Sequence, residues 1–216
     1  MSHLVSPSLL SANFGNLEKD INLLNNSHAD WFHIDVMDGV FVPNISFGFP
    51  ILKFIKKLSK KPLDVHLMIV QPERYIKRFV DEGAEILTVH YEACNHLDRT
   101  LNEIKSYGAK AGVSINPHSS VNLLDDIVDI ADLILIMSVN PGFGGQKFIP
   151  NSLKKIEQLK NLIIKRNSKA LIEVDGGVDF SNARQLIDAG VDILVAGNTI
   201  FGSGNIVDSI EKLKSV

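Results

Sequence analysis

The sequence predicts an α/β fold, a single (β/α)8 TIM barrel that covers residues 1–216. Short apolar runs alternate with longer amphipathic segments eight times, so each strand–helix unit takes about 27 residues, and such barrels can be as short as about 200 residues. An open, doubly wound sheet often carries a Gly-x-Gly-x-x-Gly turn after its first strand. Residues 8–13, which follow the first strand, contain no glycine. We therefore favour the barrel over the open sheet.

The strand candidates are short runs rich in Val, Ile and Leu, bounded by Gly, Pro or Asp. That composition is typical of parallel strands that are buried on both faces. The eight runs are residues 4–10, 31–37, 63–69, 86–90, 111–115, 133–139, 170–174 and 193–196.

Helical periodicity lies between these runs. Apolar residues recur at three- and four-residue steps in 153–163, with lysines between them, and shorter repeats of this kind occur at 18–24 and 97–104. Gly83, Gly108 and Gly190 each follow such a segment, where a glycine can adopt the left-handed conformation that ends a helix. The sequence therefore predicts helix ends just before these three glycines.

Composition excludes several classes of protein. Twenty-two basic and 25 acidic residues give a net charge of −3, which does not indicate a nucleic-acid partner. A single cysteine, Cys94, excludes a disulfide framework within the chain and a multi-cysteine zinc site. The apolar runs are shorter than a membrane span, and the first residues lack the pattern of a signal peptide. We expect a cytoplasmic protein with neither a membrane nor a nucleic-acid partner.

Ionisable residues end three of the predicted strands, at the end of the barrel where catalytic groups lie. Alternate residues of a strand share a face, so His33 and Asp35 point the same way on strand two. His66 lies near the end of strand three, and Asp175 directly follows the seventh run. Two imidazoles and two carboxylates suit one divalent cation, with Zn, Fe, Mn and Co all compatible.

Two further carboxylates, Asp64 and Glu173, lie deeper on strands three and seven and are expected to orient the imidazoles. The alternative for any one of these residues is a hydrogen-bonded polar layer that fills the barrel, but the converging set favours a site. His90 ends strand four, where it could support a metal-binding residue, although a core histidine with satisfied hydrogen bonds is the simpler interpretation.

The methionines at the ends of strands two, three and six form a second feature of this end of the barrel. Met37, Met68 and Met137 are all the methionines other than the first residue. They are expected to form an apolar wall that excludes water from the site, with the filling of irregular core gaps as the alternative.

Three glycine-rich turns follow strands six, seven and eight, at residues 140–147, 175–177 and 196–199. Glycine lets backbone N–H groups approach an anion closely, and phosphate sites in these barrels lie after strands seven and eight. The three turns together therefore predict a phosphate-binding rim.

Taken together, these motifs closely resemble the ribulose-phosphate 3-epimerase family. The resemblance covers nearly the whole chain and is carried by residues 7–12, 33–44, 64–68, 140–148, 174–177 and 196–197. It implies an isomerase that interconverts D-ribulose 5-phosphate and D-xylulose 5-phosphate in the pentose phosphate pathway. It also implies a homo-oligomer, which is common in the family.

The resemblance further implies roles for individual residues. His33, Asp35, His66 and Asp175 would hold the metal. Asp35 and Asp175 would be the acid/base pair that inverts C3 through a metal-stabilised enediolate. The residues that the resemblance places against the substrate are Ser8, His66, Gly142, Phe143, Gly144, Gly145, Asp175, Gly176, Gly177, Gly197 and Asn198.

Some features leave alternatives open. Asn198 and Thr199 stand where the family often has Ser and a small residue, so the side-chain contact with phosphate differs there. Residues 39–49 form a candidate lid, with an ordinary packed loop as the alternative. The competing functions are a 3-epimerase of a 6-carbon ketose phosphate such as allulose 6-phosphate, a related barrel decarboxylase, and a catalytically silent phosphosugar-binding protein. The absence of lysine from residues 33–38 counts against the decarboxylase.

Overall fold

Eight parallel strands form a nearly closed barrel in the computed structural model, which describes residues 3–216. The order around the sheet is β1-β8-β7-β6-β5-β4-β3-β2, and a single parallel bridge between Ser8 and His33 joins the two ends. The predicted (β/α)8 class is confirmed. The strands are β1 (Leu4–Pro7), β2 (Phe32–Met37), β3 (Leu63–Met68), β4 (Ile86–His90), β5 (Lys110–Ile115), β6 (Leu133–Met137), β7 (Leu171–Asp175) and β8 (Ile193–Ala196).

Helices alternate with the strands and cover the outside of the barrel. Within residues 3–216, none of them has the length and apolar character needed to cross a membrane. The fifth crossover contains only the 3₁₀-helix Val121–Leu124, and two α-helices follow β8. The α-helices are α1 (Leu17–Asn25), α2 (Phe49–Leu58), α3 (Ile76–Asp81), α4 (Leu97–Ser106), α5 (Asn151–Arg166), α6 (Ala183–Asp188), α7 (Asn198–Phe201) and α8 (Ile206–Lys214).

The first strand is shorter than the predicted run 4–10. It ends at Pro7, and Leu9–Ser11 form a 3₁₀-helix. Ser8 caps this helix, because its hydroxyl accepts a hydrogen bond from the Leu10 N–H at 3.4 Å. The apolar pattern therefore continues after the strand geometry has stopped.

The helix ends agree with the sequence prediction. Gly83, Gly108 and Gly190 follow α3, α4 and α6 with φ values of 106°, 90° and 112°.

The barrel interior changes from apolar to polar along the strands. Trp31, Ile86, Leu133 and Ile193, at or next to the strand starts, belong to one apolar cluster. Beyond this cluster along the strands, buried polar side chains replace many of the aliphatic ones. They are His33, Asp35, Asp64, His66, Thr88, His90, Ser114 and Glu173. This polar layer is unusual for a core and marks where the site lies.

We expect Gly112→Ala to destabilise the barrel. Gly112 on β5 is paired with Thr88 on β4, and an added Cβ would overlap the Thr88 hydroxyl and lie 3.0 Å from its Cβ. Overpacking of this kind costs about 1–3 kcal/mol in the free energy of unfolding, which urea denaturation measures.

The matched control is Gly48→Ala, where an added Cβ meets nothing within 4 Å. It should change stability by less than about 1 kcal/mol. Adding Thr88→Ala to the Gly112→Ala chain should restore part of the loss. Unchanged stability in Gly112→Ala would show that the interior is less tightly packed than described.

Candidate active site

The register of β2 on β3 brings polar side chains into two neighbouring pairs. His33 lies beside Asp64, and Asp35 lies beside His66. All four are buried inside the barrel. Asp175 ends β7, and one ligand atom from each of His33, Asp35, His66 and Asp175 lies within 4.8 Å of the others. The structure therefore brings the four predicted metal ligands together.

The donor atoms in this cluster face one another. His33 Nε2 lies 3.3 Å from Asp35 Oδ1, and His66 Nδ1 lies 3.1 Å from the same oxygen. Although fully buried, His33 Nε2 has no hydrogen-bond partner within residues 3–216. Two imidazoles and two carboxylates form a donor set that borderline divalent ions accept. These residues fit a divalent cation, and the chain has a cluster that could bind one.

Asp64 orients His33 from behind, as the sequence predicted it could. The His33 Nδ1 lies 2.6 Å from Asp64 Oδ2, which leaves Nε2 turned toward Asp35. Glu173 Oε1 lies 3.9 Å from the same nitrogen. Burial, reinforced by the charge of Asp64, raises the pKa of Glu173 well above its usual range. Glu173 therefore holds its proton and is a poor metal ligand, although it lies close to His33 and Asp64.

The two candidate acid/base carboxyls have pKa values that move in opposite directions. Burial would raise the pKa of Asp35, but the charge of the nearby His33 and the hydrogen bond with His66 outweigh it and hold the pKa well below its usual range. Burial, and then the negative charge of Asp35, raise the pKa of Asp175 to about 7. In the metal-free chain Asp35 is therefore ionised while Asp175 is partly protonated near neutral pH. Such a separation is typical of paired acid and base groups.

A cavity of about 450 Å³ opens above this cluster. Ser8, Asp35 and Asp175 lie on its surface, whereas the fully buried His33 and His66 do not line it. The contact of His66 with a sugar stays a prediction. The three predicted wall residues, Met37, Met68 and Met137, all line the cavity.

The three glycine-rich turns form the other side of the cavity. Gly177 has a φ of 64°, and an added Cβ would lie 2.5 Å from the Phe148 backbone nitrogen, so only glycine fits this close approach. An added Cβ at Gly145 would lie 2.8 Å from Asn198 Nδ2, which shows how closely the turns after β6 and β8 meet. The predicted phosphate residues that line the cavity are Gly142, Phe143, Gly144, Gly145, Gly176, Gly177, Gly197 and Asn198.

The candidate lid, residues 39–49, is tied to the body of the protein at several points. Asp38 accepts hydrogen bonds from the Val40, Phe41 and Val70 N–H groups. Asn44 Nδ2 donates to the Gly142 carbonyl oxygen at 2.8 Å, which links the loop to the turn after β6. Movement of this loop stays a prediction.

Sequence reasoning missed several residues of the cavity. Ser11, Gln146, Ser181 and Asn182 also line it. Asn182 Nδ2 donates to the Gly177 carbonyl oxygen at 2.8 Å and so supports the turn after β7. A signal for Ser181 and Asn182 was present, because these polar residues, which can bond to a turn, lie four and five residues after Gly177 in the sequence.

The fold and this site define a (β/α)8 barrel with a histidine–aspartate floor and a glycine-rich rim. Solved structures share the barrel at low sequence identity. A mutant tryptophan synthase α-subunit from Pyrococcus furiosus superposes with a TM-score of 0.73 at 12% identity, covering 100% of this chain and 98% of that one. A 3-hexulose-6-phosphate synthase gives 0.68 at 18% identity, with 100% and 99% covered. Likeness at these identities shows the fold alone.

Sequence comparison is more specific. The model of the ribulose-phosphate 3-epimerase family matches residues 4–201. Ribulose-phosphate 3-epimerase from Bacillus subtilis is 48% identical over 211 residues, covering 97% of each chain. The chloroplastic ribulose-5-phosphate-3-epimerase of Arabidopsis thaliana is 46% identical over 214 residues, covering 98% of this chain and 76% of that protein. The chain belongs to the ribulose-phosphate 3-epimerase family, whose members are isomerases, and the resemblance seen in the sequence is confirmed.

We expect Asp175→Asn to change how the stability of the metal-free protein depends on pH. The folded chain raises the pKa of Asp175 from 3.8 to about 7, so the folded state binds this proton more tightly than the unfolded state. The stability contributed by Asp175 is therefore present at low pH and is lost as pH rises from about 4 to about 7. Asparagine does not ionise, so the variant should gain up to about 4 kcal/mol relative to the parent over this window.

Urea denaturation with a chelator present, repeated from pH 4 to pH 8, measures this difference. Asp126→Asn, at an exposed position on the outside of the barrel, is the control and should follow the parent at every pH. A stability difference between Asp175→Asn and the parent that does not vary with pH would contradict a raised pKa at Asp175.

Proposed function

We propose that this protein interconverts D-ribulose 5-phosphate and D-xylulose 5-phosphate, the reaction that the names of its relatives describe. One observation carries the proposal. Asp35 and Asp175 meet at the floor of a single cavity, within a donor set for one divalent cation, and three glycine-rich turns line the same cavity. The family is shown by sequence, and this arrangement supports the specific reaction.

Inversion at C3 of a 2-keto sugar needs proton transfer on both faces of the carbon. The C3 proton is acidic because it lies next to the carbonyl group, and one base cannot easily serve both faces. Asp35 on β2 and Asp175 on β7 are separated by β1 and β8 in the ring, so they approach the cavity from different directions. One carboxyl removes the proton and the other returns one to the opposite face, and the two exchange roles with the direction of reaction.

The surroundings of Asp35 prepare it to act as a base. The Ser8 hydroxyl donates a hydrogen bond to Asp35 Oδ2 at 2.6 Å, which fixes the plane of the carboxylate. His33 and His66 hold the same carboxylate ionised through Oδ1. In the metal-free chain the raised pKa of Asp175 leaves it partly protonated near neutral pH, which suits the group that exchanges a proton on the other face.

His33, Asp35, His66 and Asp175 would hold one divalent cation, with Zn, Fe, Mn and Co all compatible with the donor set. When bound, the cation supplies positive charge that stabilises the negative charge developing on the sugar oxygens next to C2 and C3. Residues that turn the imidazole nitrogens toward the cation, such as Asp64 beside His33, therefore contribute to the reaction indirectly.

The rest of the cavity holds the sugar in place. Backbone N–H groups of the glycine-rich turns would bind the phosphate, so that the sugar stays anchored while C3 inverts. Met37, Met68 and Met137 provide an apolar wall beside the reacting carbon, which excludes water from a planar intermediate.

We expect turnover of D-ribulose 5-phosphate to disappear on chelation and to return with one of the four divalent ions. A coupled assay that consumes D-xylulose 5-phosphate measures this, with allulose 6-phosphate as the competing substrate. Full activity after complete metal removal would contradict the metal site. Turnover of allulose 6-phosphate alone would contradict the assigned substrate, and no turnover of either would favour a silent phosphosugar-binding protein.

We expect Asp175→Asn to lose epimerisation by about 10²–10⁴-fold, because general acid/base groups contribute about that much. In D₂O, this variant should still exchange the C3 proton of one epimer for deuterium, since Asp35 remains. NMR of the recovered sugar phosphates separates exchange from inversion, and metal analysis identifies loss of the ion. Asp126→Asn is again the control. Undiminished inversion in metal-loaded Asp175→Asn would contradict the two-carboxyl scheme.

A further inference from the structure

His66 makes a second contact that the proposed reaction does not use. Its Nε2 lies 2.8 Å from Nε2 of His90, which ends β4, and both side chains are fully buried. The two rings are 29° from parallel, with centroids 4.9 Å apart, so the nitrogens meet close to the ring planes. His90 Nδ1 lies 3.3 Å from Glu92 Oε2 in the 3₁₀-helix that follows β4. A continuous row of groups therefore leads from His66 to a carboxylate.

The far end of this row is anchored by the segment after β5. Glu92 Oε1 accepts hydrogen bonds from the Asn116 N–H, at 2.8 Å, and from the Ser119 hydroxyl. Lys155 on α5 donates to the Asn116 carbonyl oxygen at 2.7 Å and so holds that segment. The segment after β5 thus holds Glu92 in place, and α5 supports that segment.

The carboxylate determines where the protons lie. An ionised Glu92 only accepts hydrogen bonds, so it takes the proton on His90 Nδ1. A neutral imidazole has one N–H, so His90 Nε2 is an acceptor and His66 must donate from its own Nε2. The other nitrogen of His66, Nδ1, is then left with its lone pair. That nitrogen belongs to the candidate metal cluster.

We propose that His90 and Glu92 are positioning residues, which set the tautomer of His66 so that its Nδ1 can bind the divalent cation. The inference rests on the metal site of the proposed function and extends it to two residues outside the cavity.

Charge and burial support the protonation states in this row. His90 is fully buried between His66 and Glu92, and a neutral ring with one N–H satisfies both contacts. Burial raises the pKa of Glu92, but hydrogen bonds from His90, Ser119 and the Asn116 N–H outweigh it and lower the pKa to about 2. Glu92 is therefore ionised near pH 7.

Asp35 acts against this arrangement in the metal-free chain. Its Oδ1 lies 3.1 Å from His66 Nδ1 and favours a proton on that nitrogen. Glu92, acting through His90, favours the proton on Nε2 instead. A metal must displace any proton from Nδ1, so the row of His90 and Glu92 makes metal binding easier. Asp64 fixes the tautomer of His33 in the same way, through a direct contact with His33 Nδ1.

Glu92→Gln reverses the direction of the hydrogen bonds that run from residue 92 through His90 to His66. The Asn116 N–H requires an acceptor, so the amide oxygen of glutamine faces it and the amide NH₂ faces His90 Nδ1. His90 then carries its proton on Nε2, opposite His66 Nε2, and His66 must place its proton on Nδ1. We expect the affinity for Zn²⁺ or Co²⁺ to fall about 10–100-fold, measured by competition with a chromophoric chelator. Glu157→Gln, at an exposed position on α5, is the matched control and should bind like the parent.

A second variant separates tautomer control from loss of structure. His90→Gln keeps an acceptor for the His66 Nε2–H, because its amide oxygen can take that position, and it should bind metal within about threefold of the parent. The double variant His90→Gln/Glu92→Gln should then bind like His90→Gln alone. If Glu92→Gln instead loosens the fold, the double variant will lose at least as much affinity, and thermal melting will show it.

Nitrogen NMR of the imidazoles in the Zn²⁺-loaded parent gives a direct readout. We expect His90 to carry its proton on Nδ1, and a proton on His90 Nε2 overturns the inference. If the parent binds metal and Glu92→Gln binds it equally tightly, the inference fails while the proposed function stands. If the parent binds no divalent metal at all, both are overturned.

Discussion

The register between β2 and β3 is the constraint on which the rest of the site depends. It sets His33 beside Asp64 and Asp35 beside His66, so each imidazole gains a carboxylate neighbour in a single pairing. Side chains alternate along a strand, so a slip of β3 by one residue would turn Asp64 and His66 out of the barrel interior. The continuous apolar packing of the outer face against the helices opposes such a slip. The pairing of these two strands thereby determines which imidazole meets which carboxylate in the site.

The polar interior is stable because nearly every charge in it has a partner. Asp35 is held by Ser8, His33 and His66, and the row through His90 ends on a carboxylate with its own donors. Glu173 has no such partners among residues 3–216, and burial keeps it protonated. The site therefore combines buried carboxylates, one of them with a pKa of about 7, with two imidazole nitrogens that both lie next to Asp35 Oδ1.

Much of this could be predicted from the sequence, because strand periodicity alone says which residues share a face. The eight strands, the convergence of His33, Asp35, His66 and Asp175, and the three turns around the cavity all follow from that pattern. The end of β1 could not be predicted in this way, since it depends on a capping hydrogen bond at Ser8. A supporting role for His90 was only an alternative, and Glu92 was missed, because the His66–His90 contact joins residues 24 apart and the choice of a tautomer leaves no periodic signal.

Anomalous X-ray diffraction from crystals of the metal-loaded protein, collected at the absorption edge of the added ion, tests the central claim most directly. We expect one ion, bound by His33 Nε2, His66 Nδ1 and an oxygen from each of Asp35 and Asp175. An ion bound by Asp64 and Glu173 instead, or one bound only on the outer surface of the barrel, would contradict the claim that these four residues form the metal site of the enzyme.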